Sequence, residues 1–398
     1  MTSIIASTAP PTELPFAGKN VPHLLIEVNQ KCNISCRACY KDKSNYTKDL
    51  QQIFQEVEIA LSQRNVATIT LAGGEPTLHP NLIEIIQFIR SKNIQVQMLS
   101  NGFQLSDELL SKCKQAGLKE IYIHVDTGQK RSDAKNITTE KNLNELRAKI
   151  AKRITEHGLV CSMVITLYRK TLAELPDVVE FALNSPYITR FLITCYTHFV
   201  QFKNQKQEVV VFGRTYKLQE ATTESSDELS QESVTLAEVN TELEKHFSMK
   251  PFGYISSNLS HQAERWHMYY SFTINTPTRS SYLFLEPAFG QYVARKINKS
   301  IEKGERLTFG KVLSEKQCIL FVSAYAFSTG SLTTIFRSLI FLSRLILPKS
   351  HILYKDITVQ QGPKFAEDGQ LEYCRDCPDA TIRNGHLVPV CLADVLVT

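Results

Sequence analysis

Between residues 23 and 197 short apolar runs alternate with stretches whose apolar residues recur every three or four positions. The runs are HLLIEVN (23–29), ATITLAG (67–73), QVQMLSN (95–101), EIYIHVD (120–126), LVCSMVITLY (159–168) and RFLITCYT (190–197). Most are rich in β-branched residues and read as buried parallel strands. Between them Leu82, Ile85, Ile86 and Ile89 share one helical face, as do Leu143, Leu146, Ile150 and Ile154, and then Leu175, Val178, Val179 and Ala182. Ser106 followed by Asp107 and Glu108 marks a helix start, with a capping hydroxyl and acidic first-turn residues that suit the helix dipole. Strand and helix in regular alternation place the chain in the α/β class. Six such units predict a partial (β/α)6 barrel, TIM-like but open.

The regularity ends near residue 200. The expected organisation is a loose lead-in over 1–20, marked by Pro10, Pro11 and Pro15, a barrel core over 21–200, and an insertion or substrate region of unassigned fold over 201–315. An apolar helical segment and a cysteine-rich region fill 316–398. The polar run TTESSDELSQES (222–233) reads as a loop. Trp266, Tyr269, Tyr270 and Phe272 form an aromatic cluster, for which core packing is the commoner role and pocket lining the alternative. From Cys318 to Leu347 the chain is apolar but interrupted by Arg337, Arg344 and a break at 328–330, short of the ~20 continuous residues a membrane span needs. Leu332, Ile335, Phe336, Leu339, Ile340 and Leu347 fall near helical spacing. They predict a helix that lies on the core, lines a substrate channel or rests on a membrane surface.

Composition narrows the class only modestly. At 398 residues and 43% hydrophobic content the chain is a folded protein of two or three domains. Its net charge of +5 is spread thinly, so no nucleic-acid partner is evident. The ten cysteines are grouped in metal-type clusters rather than at disulfide spacings, and residues 1–20 lack a signal-peptide pattern, so a cytoplasmic location is expected.

The first cluster is CNISCRACY, in which Cys32, Cys36 and Cys39 stand at CxxxCxxC directly after the first strand. That position is the carboxyl end of a parallel sheet, where such folds bind ligands. Three thiolates can hold three irons of a [4Fe–4S] cluster and leave the fourth iron open. Zinc is the alternative, but it usually takes four protein ligands, and Asp42 is the sole acidic neighbour. After the second strand come Gly73, Gly74, Glu75 and Pro76, within AGGEPTLHP; glycines there let backbone approach a ligand closely. Ser100, Asn101 and Gly102 end the third strand and Asp126 ends the fourth.

On these motifs the chain resembles the radical S-adenosylmethionine (radical SAM) superfamily over residues 20–200, about half its length. The resemblance implies a [4Fe–4S] cluster on Cys32, Cys36 and Cys39 with S-adenosylmethionine on the open iron. Main-chain groups of Gly73, Gly74, Glu75 and Pro76 would then meet the cofactor's methionine amino group, and Ser100, Asn101 and Asp126 would border the cofactor. Asp126 would accept hydrogen bonds from hydroxyls, or alternatively cap a helix. Ala38 stands where the family often has an aromatic residue, and Tyr40, just after Cys39, is the residue placed to pack on adenine. The implied activity is reductive cleavage of S-adenosylmethionine to a 5′-deoxyadenosyl radical that modifies a carbon centre, fed by an electron donor such as flavodoxin or ferredoxin. No catalytic side chain is assigned.

The closing segment EYCRDCPDATIRNGHLVPVCLAD spaces Cys374, Cys377 and Cys391 as Cx2Cx13C. It resembles a shortened SPASM or twitch extension, which implies a second iron–sulfur cluster, with Cys318 as a distant fourth ligand. The alternative is zinc on Cys374, Cys377, Cys391 and His386. Cys113, Cys161 and Cys195 read as core residues. His79 and His124 are either structural or close to the cofactor, and His198 is a candidate substrate contact. The apolar stretch favours a hydrophobic substrate, such as a lipid or natural product, together with peripheral membrane contact. Maturation of a ribosomal peptide ranks second, because no leader-binding domain is evident ahead of Cys32. A non-catalytic iron–sulfur or zinc protein ranks third, since it would not need the GGEP element.

Overall fold

The computed structural model describes residues 9–39, 41, 44–198, 208–218, 231–310, 312–328 and 331–397. Tyr40 and Asp42 lie outside them, as does most of the polar run at 222–233. The six alternating units are present as β1 (His23–Asn29), α1 (Leu50–Gln63), β2 (Thr68–Gly73), α2 (Leu82–Ser91), β3 (Gln95–Ser100), α3 (Asp107–Ala116), β4 (Leu118–His124), α4 (Asn144–Glu156), β5 (Val160–Leu167), α5 (Leu175–Asn184) and β6 (Ile188–Cys195). Each strand pairs in parallel with the next, β1 through β6. This is the α/β partial barrel of the sequence reading.

Local chemistry sets the helix ends. Asp49 caps α1 by accepting from the Gln52 N–H at 2.8 Å, and Ser106 caps α3 through the Leu109 N–H at 3.2 Å. Gly117, at φ 102°, closes α3 in the left-handed conformation. Residues at alternate strand positions go beneath the helices: Ile26, Ile69, Val96, Ile121 and Ile165 meet Val57, Ile85 and Val179 in one fully buried cluster. Each such side chain contributes about 1.5–3 kcal/mol by leaving water. The intervening positions face the barrel interior and build the site.

The sheet does not stop at β6. After α6 (Leu236–Phe247) come the antiparallel strands β7 (Gly253–Ser256), β8 (Glu264–Asn275) and β9 (Ser280–Phe284), then helices α7 (Phe289–Glu302), α8 (Glu315–Ser328) and α9 (Leu332–Ser343), and strand β10 (His351–Gln361). β10 inserts between β6, with which it is parallel (Asp356 opposite Arg190), and β8, with which it is antiparallel. Thus the region left unassigned by its sequence extends the barrel sheet, and the interrupted apolar stretch is a helix pair. Trp266, Tyr269 and Phe272 are buried on β8. The chain closes with a hairpin, β11 (Ala380–Arg383) and β12 (His386–Pro389), that folds back onto α1 and β1.

Candidate functional site

The loop after β1 and the loop after β2 are tied together by backbone. The Gly74 N–H donates to the Asn29 carbonyl at 2.9 Å, the Glu75 N–H donates to the Lys31 carbonyl at 2.8 Å, and the Asn29 side-chain amide donates to the Glu75 carbonyl at 3.0 Å. Side chains are excluded at this seam. A Cβ on Gly74 would stand 2.2 Å from the Lys31 oxygen, and one on Gly73, whose φ is 127°, 2.2 Å from the Asn29 oxygen. The glycines therefore set the start of the cysteine loop one residue before Cys32.

Glu75 completes the latch. Its carboxylate accepts from the Thr77 N–H and hydroxyl, the Ser100 hydroxyl at 2.9 Å and the Asn101 N–H at 2.8 Å. Burial pushes its pKa up in spite of those four donors. Its carboxylate is thus occupied within the protein and fixes the loop after β3, while Pro76 opens the short 3-10 turn Pro76–Leu78. From that loop Asn101 reaches back, donating to Asn33 at 2.7 Å and toward the Cys32 Sγ at 3.9 Å.

Asp126 is held just as firmly. It accepts from the Gly128 N–H at 2.9 Å, the Thr166 N–H at 2.9 Å and His124 Nε2 at 2.7 Å. Burial alone would raise its pKa, but His124 and these bonds outweigh that and hold it low. The Gly128 contact closes a turn rather than starting a helix, so the helix cap offered as the alternative for this residue is not what it forms, and His124 is its partner. His79 is structural, with Nε2 at 2.9 Å from the Lys48 carbonyl. His198 is buried near the Tyr196 hydroxyl, at 3.4 Å, and burial lowers its pKa.

One cavity joins these elements. Cys32, Cys36 and Cys39 line it together with Gly73, Gly74, Ser100, Asn101 and Asp126, and so does Cys391 from the far end of the chain. One member of the second cysteine group is thereby brought to the wall of the cavity that holds the first. Cys374 and Cys377 are buried beside it, hydrogen-bonded to each other, and the Trp266 indole N–H donates to the Cys374 sulfur at 3.1 Å. That bond from Cys377 holds the Cys374 thiol low, whereas burial pushes Cys391 up. Among the described residues no three or more His, Cys, Asp or Glu side chains are grouped so as to hold a metal ion, which applies alike to either cysteine group and to the set with His386. Cys318 packs instead with Phe272, Ile274 and Val322 in a separate apolar cluster. Cys113 and Cys195 are buried thiols pushed up to about 12, and burial raises Cys161 as well, as expected of inert core cysteines.

A second cavity lies beside the first and shares Leu25, Leu99, Val164, Leu192 and Asp379 with it. A chain of polar side chains lines its wall. Asp379 Oδ1 meets His23 Nδ1 at 2.9 Å, His23 Nε2 meets the Thr70 hydroxyl at 2.6 Å, Thr70 donates to Gln97 at 3.0 Å, and Gln97 donates to Glu120 at 2.6 Å. Arg190 closes the chain on Glu120 at 2.5 Å. A separate ion cluster anchors the cysteine loop: Lys41 pairs with Glu27 at 2.8 Å and Asp394 at 2.7 Å, and Arg383 binds the same two carboxylates. Neither network has a local sequence signal, since their members come from opposite ends of the chain.

Comparison with known proteins gives the site a family. Residues 26–182 match the pattern described as the Radical SAM superfamily. The chain is 27% identical over 168 residues to a probable GTP 3′,8-cyclase of Methanocaldococcus jannaschii, covering 41% of this chain and 56% of that protein. It is 23% identical over 182 residues to PqqA peptide cyclase of Bradyrhizobium diazoefficiens, covering 45% and 46%. It is 25% identical over 162 residues to the antilisterial bacteriocin subtilosin biosynthesis protein AlbA of Bacillus subtilis, covering 40% and 36%. The chain spans about half the length, or less, of these curated relatives. A [4Fe–4S] cluster and S-adenosylmethionine are the cofactors of this superfamily. Three thiols beside a glycine-lined backbone seam are donors of the type such a cluster takes.

Proposed function

Because residues 26–182 form a domain of the radical SAM superfamily, we propose that the protein is a radical SAM enzyme that modifies a carbon centre of a peptide or protein substrate. The observation that carries the reading is one cavity lined by Cys32, Cys36 and Cys39 and also by Cys391 of the second group. Cys32, Cys36 and Cys39 would hold a [4Fe–4S] cluster, which with S-adenosylmethionine would supply one-electron radical chemistry able to take hydrogen from an unactivated carbon.

The chain's own residues hold and shield that chemistry. The Gly73 and Gly74 backbone borders the cavity where no side chain fits, and Glu75 locks Ser100 and Asn101 against the cysteine loop. Asp126 is fixed by three donors at the cavity wall. Leu25, Leu99, Val164 and Leu192 line the interior below and keep water from a reactive radical. Cys374, Cys377 and Cys391 would hold a second iron–sulfur cluster facing the same space.

A peptide substrate is supported by two of the relatives named above, a peptide cyclase and a bacteriocin biosynthesis protein. The apolar helices that favoured a lipid or natural product contribute no residue to the walls of either cavity. The test supplies deuterated peptides and deuterated lipids from one host as separate hydrogen sources. Deuterium entering 5′-deoxyadenosine from the peptide arm supports the reading. Deuterium from the lipid arm alone, or from neither, overturns it.

A further inference from the structure

Helix α9 is inside out. Its buried positions are Thr334, Ser338 and Phe341, and the Ser338 hydroxyl is buried without a hydrogen-bond partner. Leu332, Phe336 and Ile340 point outward instead, the first two 71% and 63% exposed. The neighbouring helix α8 continues the face with Leu320 and Phe327, at 69% and 68%, and the turn after α9 ends it with Ile346 at 84%. Isolated apolar residues on a surface are ordinary, but several carried by two helices that pack against each other and by the turn after them mark a docking face.

Charge identifies what the face meets. Across residues 315–350 the sequence carries Lys316, Arg337, Arg344 and Lys349 against Glu315 as its lone acid, with Arg337 paired to Glu286 at 3.4 Å. Glu315 is paired with His351 at 3.1 Å. A protein partner would more often present mixed charge, whereas an apolar patch rimmed by cations matches the interface of an anionic bilayer, where acyl chains lie beneath negative headgroups. Geometry agrees. Helices of 14 and 12 residues are about 21 and 18 Å long, short of the ~30 Å hydrocarbon core. Among the described residues no helix is long and apolar enough to cross a membrane.

We infer that α8, α9 and the turn at 344–350 form a docking surface for an anionic lipid bilayer, with the apolar residues inserted at the headgroup boundary and Lys316, Arg344 and Lys349 against the headgroups. The inference does not depend on the substrate reading, because none of these residues lines either cavity.

The test is co-sedimentation of the reconstituted protein with phosphatidylcholine vesicles, with and without phosphatidylglycerol, beside analytical ultracentrifugation without lipid. Binding to the anionic vesicles that weakens with salt is expected. Leu332→Ser with Phe336→Ser should lose roughly tenfold in binding, and Arg344→Glu with Lys349→Glu should remove the anionic preference. Ile346→Ser on the turn serves as an independent variant should the first pair fail to fold, judged by circular dichroism and by the iron–sulfur absorbance. No vesicle binding by the intact protein, or binding unchanged in the folded variants, overturns the inference. So does a lipid-free dimer that the same apolar substitutions dissolve while vesicle binding is absent.

Discussion

Asp379 Oδ1 and His23 Nδ1 lie 2.9 Å apart although 356 positions separate them. The contact pins the carboxyl-terminal cysteine segment, through a residue two positions past Cys377, to the first residue of the first barrel strand. It also stands in the wall between the two cavities, where Asp379 lines both. The second cysteine group therefore has a fixed place on the barrel.

Asp379→Ala should leave His23 Nδ1 unpaired, its Nε2 still on Thr70, and remove the acceptor of Gln360 at 3.4 Å. A loss of about 1–3 kcal/mol in stability is expected from the unpaired buried groups. The spectrum of the second cluster should change while the first is unaffected, which paramagnetic resonance on the reduced protein can separate. Equal disturbance of both clusters would assign the pair a global role instead.

Gly74→Ala should fold and yet fail to load the first cluster. Its Cβ would meet the Lys31 oxygen at 2.2 Å, so the cysteine loop must move away from the β2 end. The expected result is a far-ultraviolet spectrum like the parent's with a large loss of iron at the first site. Normal iron content would show that the seam tolerates a side chain.

Lys355 is buried on β10, where its ammonium donates to the Ser185 and Ile188 carbonyls, and burial lowers its pKa to about 7. The unfolded value is near 10.5, so between pH 7 and 10.5 the unfolded chain binds a proton that the folded one does not. Stability from this group therefore rises with pH across that window. Lys355→Met should be the more stable form at pH 6, on the order of 1–3 kcal/mol after the two orphaned carbonyls offset part of the gain, and the advantage should vanish by pH 10. Parallel melting curves from pH 6 to 10 check the sign.

Cys374→Ala with Cys377→Ala should remove about half of the iron and leave the first cluster intact. Loss of zinc with iron unchanged would assign the second site to zinc. Metal analysis of anaerobically purified protein distinguishes the two.

The barrel was legible because each of its units carries a local signal: Leu82, Ile85, Ile86 and Ile89 repeat at helical spacing and β2 is a short apolar run. The cysteine and GGEP motifs were legible for the same reason. What stayed hidden depends on distant partners. Strand β10 carries Lys355 and Asp356 in its middle and reads as a strand only once β6 and β8 flank it. Glu75, expected at the cofactor, has its carboxylate occupied by Thr77, Ser100 and Asn101, bonds that no spacing rule foretells. His23 with Asp379, and Lys41 with Asp394, join the two ends of the chain. The outward apolar face of α9 was visible as a pattern, but not its orientation, because periodicity shows that a stripe exists without showing which way it points.

The most direct test of the central claim is anaerobic incubation of the reconstituted protein with dithionite and S-adenosylmethionine, with 5′-deoxyadenosine measured beside a Cys36→Ala variant. Formation of 5′-deoxyadenosine by the intact protein and its absence in the variant are expected. No product from the intact protein, or an equal yield from the variant, would contradict radical chemistry at this site.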